Sequence, residues 1–91
     1  MAISVRIPTP LQQFTANSDE VLVEAGTIKE MVTNLSSKYP GIQDRLCDDT
    51  GKIRRFVNIY VNGEDIRTLQ KDETVLKDGD EVSLVPSIAG G

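Results

Sequence analysis

One stretch of this chain has a helical period, and runs that alternate like strands lie on both sides of it. Ile28, Met31, Val32, Leu35 and Tyr39 recur at intervals of three and four, with Lys29, Glu30, Asn34 and Lys38 between them. That spacing puts the apolar set on one face of a helix and the charged set in water. Thr27-Ile28-Lys29-Glu30 matches a capping box, in which a hydroxyl and a carboxylate satisfy backbone N–H groups that have no helical partner, so the helix is expected to begin there. Pro40-Gly41 ends it. A stripe containing Met and Tyr at this spacing reads as core rather than as a cofactor pocket. A single amphipathic helix covers one face of one sheet, so the rest of the chain has to supply that sheet.

Ile3-Ser4-Val5-Arg6-Ile7 alternates apolar and polar and is closed by Pro8 and Pro10. After a loop containing Leu11 and Phe14, for which ordinary packing is expected, the turn-forming run Ala16-Asn17-Ser18-Asp19 leads into a second β-rich run, Glu20-Val21-Leu22-Val23-Glu24. The two runs fit a hairpin with a long loop. A third strand is read over Arg54-Arg55-Phe56-Val57-Asn58-Ile59-Tyr60-Val61, ending at the hairpin signal Asn62-Gly63. Alternation places Val57, Ile59 and Val61 under the helix and Phe56, Asn58 and Tyr60 on the opposite face. Two readings of that second set stand level: a partner-binding surface, or cross-strand aromatic pairing that stabilises the sheet. A short strand is expected around Asp65-Ile66-Arg67, and Asp78-Gly79 turns the chain into a last strand with Val82 and Leu84 inward and Val85 outward. Strand, strand, helix, strand, short strand, strand makes an α+β domain and matches the ββαββ plan of a β-grasp mixed sheet with one main helix packed on one face, although spacing alone also permits other mixed sheets. The expected division is a domain over residues 1–86 and a flexible C-terminal tail over 87–91.

Several functions are disfavoured by composition. At 91 residues the chain has a core large enough to fold but little room for an enclosed active site. A net charge of −4 with dispersed Lys and Arg disfavours nucleic acid or anionic membrane as partner and favours a basic protein surface. No run approaches the roughly 20 apolar residues of a membrane span, and Arg6 interrupts the start where a signal peptide needs apolar residues. Cys47 is the only cysteine, so a reducing compartment and a cytoplasmic location are expected. Asp44, Asp48 and Asp49 lack the spacing of a calcium loop, and the chain has no His, so no metal site and no catalytic residue are assigned. Asp48-Asp49-Thr50-Gly51 reads as a solvated loop after a short turn at 42–46, and Cys47 as a half-buried structural thiol.

The last residues, Ser87-Ile88-Ala89-Gly90-Gly91, follow the last strand directly. Glycines without Cβ atoms can pass through a narrow channel, and five extended residues reach about 17 Å, so the stretch is suited to insertion into a partner. Gly26-Thr27-Ile28, Leu76-Lys77-Asp78-Gly79-Asp80-Glu81-Val82 and the terminal Gly90-Gly91 resemble the ubiquitin-like sulfur carriers of the MoaD/ThiS family. Arg55 to Asn62 and Pro86 to Gly91 look most like the carriers that serve cysteine biosynthesis through a thiocarboxylate.

The resemblance implies that an E1-like adenylyltransferase/sulfurtransferase activates Gly91 with its own ATP and that a sulfur donor then converts the acyl-adenylate into a thiocarboxylate. The chain itself would hold no cofactor. The acceptor would be an enzyme such as a PLP-dependent cysteine synthase, or one acting on a molybdopterin or thiamine precursor. On this reading Gly90, Ala89 and Ile88 enter the partner, and Phe56, Tyr60 and Val85 dock against it. Two rivals stay open: a protein modifier forming isopeptide bonds through Gly91, and a binding domain whose glycines are incidental. The β-grasp ferredoxins are excluded, because a cluster needs four cysteines.

Overall fold

The computed structural model describes residues 2–54 and 57–86. Its strands are β1 (Ala2–Arg6), β2 (Glu20–Glu24), β3 (Val57–Val61), β4 (Glu64–Asp65) and β5 (Glu81–Pro86), and its helices are α1 (Ile28–Lys38) and a single turn, α2 (Gln43–Leu46). The strands form one mixed sheet in the order β2-β1-β5-β3-β4, with α1 on one face. β1 pairs antiparallel with β2 and parallel with β5, while β3 pairs antiparallel with both β5 and β4. The last strand therefore lies in the middle of the sheet.

Alternation decides which side chains enter the core. Ile3 and Val5 of β1, Val21 and Val23 of β2, Ile59 of β3 and Val82 and Leu84 of β5 are buried against Ile28, Met31, Val32 and Leu35 of α1. Each such side chain stabilises the fold by about 1.5–3 kcal/mol relative to an exposed one. Tyr39, the last of the helical stripe, packs on this cluster only in part. The cap forms with one displacement: Thr27 Oγ1 accepts the Glu30 N–H at 3.2 Å, but the Glu30 carboxylate takes the N–H of Gly26, at 2.8 Å. The hairpin loop between β1 and β2 contains a 3-10 turn, Thr9–Phe14, and Phe14 packs against the core as expected. Its ring crowds Gly41, where a Cβ would lie 3.0 Å from Phe14 Cδ1 and the ring would have to shift.

Two boundaries differ from the sequence reading. The third strand begins at Val57, because Arg54 is bound elsewhere: its N–H donates to the Leu46 carbonyl and its Nε to the Asp44 carbonyl. Arg55 and Phe56 lie outside the described residues. The short strand covers Glu64–Asp65 and stops where the Asp65 carboxylate accepts the N–H of Arg67 at 2.8 Å, turning Ile66–Thr68 into a 3-10 turn that buries Ile66. Asn62 and Gly63 form the tight turn at φ 52° and 88°, the positive values a two-residue hairpin with right-handed twist requires.

Candidate functional site

The candidate site is built around β5. At its start the chain is clasped to the Asn62-Gly63 turn. Asn62 Nδ2 donates to Asp80 Oδ1 at 3.0 Å, and Asn62 Oδ1 accepts the Glu81 N–H at 3.0 Å. The other Asp80 oxygen accepts the Lys77 N–H at 2.8 Å, while Asp78 Oδ1 accepts the Ala2 N–H at 2.8 Å. These bonds, led by that from Lys77 and followed by that from Asn62, hold the Asp80 carboxyl below its ordinary pKa. The residues 76–82 that carried the family resemblance thus lock the start of the central strand. Nothing in the sequence reading linked the Asn-Gly turn to this clasp, because the partners lie 18 and 19 residues apart.

The far end of β5 brings together the two predicted site residues that lie among the described ones, Val85 and Tyr60. Val85 pairs with Asn58 and Ser83 with Tyr60, so Val85 and Tyr60 are diagonal neighbours on the face turned away from α1. Val85 is 42 % exposed and Tyr60 partly so. Arg6 stands across from Ser83 on the other flank, 3.6 Å from the Glu81 carboxylate. The sequence reading missed Arg6 as part of this face, although its alternation with the buried Ile3 and Val5 would have placed it there. Leu22, 65 % exposed, lies on the same face at the β2 edge. Val57 faces Pro86 in the last described pair. Phe56, Ile88, Ala89, Gly90 and Gly91 lie outside the described residues.

The acidic loop is held by its own hydrogen bonds. Asp48 Oδ1 is occupied by the Thr50 N–H, the Thr50 hydroxyl and the Lys52 N–H, and among the described residues no group of three or more potential ligands converges. Cys47 is buried rather than half-buried, and burial, reinforced by Asp48 and opposed by Arg54, pushes its thiol above the ordinary value. A neutral buried thiol is inert. Among the described residues no helix is long and apolar enough to cross a membrane.

Residues 5–91 match the model of the ThiS family. The chain belongs to the ThiS family. Over 93 aligned positions spanning all of both chains it is 41% identical to the sulfur carrier protein CysO of Mycobacterium tuberculosis. A chain of the Amycolatopsis orientalis BexX/CysO complex superimposes with a TM-score of 0.90 at 38% identity, covering 99% of this chain and 100% of that one. The small archaeal modifier protein 3 of Haloferax volcanii is 37% identical over 65 residues, 71% of this chain and 70% of its own. The β-grasp fold read from the order of elements is therefore that of the ThiS family, and its relatives class the chain with small ubiquitin-like carriers rather than with catalysts.

Proposed function

We propose that this protein is a sulfur carrier whose Gly91 carboxylate is adenylated by an E1-like enzyme and converted into a thiocarboxylate, with cysteine biosynthesis as the destination. The end-to-end 41% identity to a sulfur carrier, with no part of either chain left over, carries the proposal. The chemistry explains why a partner is needed. A C-terminal carboxyl has a reference pKa of about 3.3–3.7, so at neutral pH it is an anion that resists nucleophiles. Transfer of AMP from ATP to one carboxylate oxygen releases pyrophosphate and makes an acyl-adenylate. A sulfur donor attacks its carbonyl carbon, AMP leaves with that oxygen, and sulfur takes its place. ATP and sulfur belong to the activating partner, and an enzyme such as a PLP-dependent cysteine synthase receives the product.

The division of labour follows the fold. β5 lies in the middle of the sheet and ends at Pro86; five further residues, if extended, span about 17 Å, and on this proposal Gly90, Ala89 and Ile88 enter the partner. Val85, Tyr60 and Phe56 form the docking surface, with basic residues on the partner meeting the net charge of −4. The protein acts in the cytoplasm. Incubation with an activating enzyme, ATP and sulfide should release AMP and exchange one terminal oxygen for sulfur, read by intact mass. A protein that yields neither product is not a carrier of this kind. The resemblance to an archaeal modifier protein supports a second reading, conjugation through Gly91. It predicts isopeptide-linked bands in host extract, which a pure carrier does not form.

A further inference from the structure

A second feature lies on the side of the molecule covered by α1, away from the docking face. A groove of about 380 Å³ runs between α1 and the segment that follows α2. It is within the range of small-molecule sites, about 300–1,000 Å³. Val32, Cys47 and Ile53 give it an apolar side, with Cys47 and Ile53 facing each other across an antiparallel bridge. Ser36 also lines it, 8 % exposed, and Ser36 Oγ is a buried side-chain oxygen with no hydrogen-bond partner among the described residues. A buried hydroxyl left unsatisfied lowers stability, and an acceptor held in the groove that Ser36 lines would relieve that cost. Two exposed charges of opposite sign, Lys29 and Asp72, line the same groove, and among the described residues no ion pair joins them.

We propose that this groove binds a small zwitterion of the α-amino acid class with an apolar side chain. The ligand carboxylate meets Lys29 and the Ser36 hydroxyl, its ammonium meets Asp72, and its side chain lies on Val32, Cys47 and Ile53. A simple anion would leave Asp72 facing like charge, and a simple cation would do the same to Lys29. Both charges together fit a molecule that carries both. The site is independent of the terminal glycines and of any sulfur chemistry at Gly91.

The test is titration of the ¹⁵N-labelled full chain with L-leucine, followed through the amide resonances. Saturable shifts at Lys29, Ser36, Cys47 and Asp72, unchanged when Gly90 and Gly91 are deleted, are expected. Lys29→Ala and Asp72→Ala change exposed side chains and should each weaken binding roughly tenfold, the effect of one lost charge-assisted contact. N-acetyl-leucinamide, which has the side chain and neither charge, should not bind. Equal binding of leucine and 4-methylpentanoate, which lacks the ammonium, would overturn the assignment to Asp72 and with it the zwitterion. Shifts that stay linear up to the solubility limit, or that appear at other residues, would remove the site altogether.

Discussion

β5 is held by different means at its two ends. At its start, side chains from the Asn62-Gly63 turn and from the loop before the strand interlock through Asn62, Asp78 and Asp80. At the other end the last described pair joins Val57 to Pro86; the Val57 N–H is already given to the Arg54 carbonyl at 3.0 Å, and proline has no N–H to give. The contrast assigns different roles to the two ends. Fixing the start sets the register of a strand that lies between β1 and β3, and so sets where the chain leaves the sheet.

The largest expected effect tests whether the two ends are functionally separable. Gly90→Trp should lower AMP release with an activating enzyme by about a hundredfold or more, as expected when a reacting group is kept from its place. Its denaturation midpoint should remain that of the unmodified chain, since surface changes outside special sites stay within about 0.5 kcal/mol. Normal adenylation of the tryptophan variant would refute insertion. At the opposite end, Asn62→Ala removes both side-chain bonds of the clasp and places alanine at φ 52°. A loss of about 1–3 kcal/mol in urea unfolding is expected, with adenylation retained wherever the domain is folded. If Asn62→Ala instead lowered activity without lowering stability, the clasp would belong to the partner interface.

Between these lies the docking face. Val85→Ser should weaken association with the activating enzyme several-fold, up to about tenfold, the size expected for an apolar contact near an interface centre. The measured quantity is a dissociation constant, with unfolding as the control. Thr33→Ala, on α1 and therefore on the far side of the molecule, should leave that constant unchanged.

The parts of this fold visible in the amino-acid order were those with local causes. Ile3 and Val5, Val57 and Ile59, and Val82 and Leu84 declare their faces by alternation, and Thr27 with Glu30 declares the helix start. What stayed hidden was set by distant partners. Placing β5 between β1 and β3 depends on residues some 80 positions apart meeting, as Val5 and Val82 do, and no local period encodes that. Ile66 and Arg67 follow Asp65 like the rest of a strand, but the Asp65 carboxylate takes the Arg67 N–H and ends β4 there, and an aspartate that caps a turn is the same residue type as one that sits in a strand. Of the candidate site, Tyr60 and Val85 were assigned correctly to one outward face, whereas Arg6 was overlooked and the clasp of Asn62 on Asp80 was read as two unrelated turns.

The smallest effect probes the clasp through pH. Asp80 accepts hydrogen bonds from the Lys77 N–H and the Asn62 amide as a carboxylate, which lowers its folded pKa below that of the unfolded chain. Protons therefore bind the unfolded state more readily, and stability rises with pH in the window where the two states differ. The contribution is fully present above the unfolded value, about 3.9, and is lost as pH falls through the depressed folded value. Asp80→Asn keeps a side-chain acceptor for Lys77 but has no carboxyl to titrate, so its stability should fall less steeply than that of the unmodified chain below about pH 4. Because the carboxylate is near the surface, solvent and salt screen it and the difference in slope will be modest. Parallel slopes for the two proteins would mean that Asp80 holds the start of β5 by shape rather than by charge, leaving Asn62 as the residue that secures the strand.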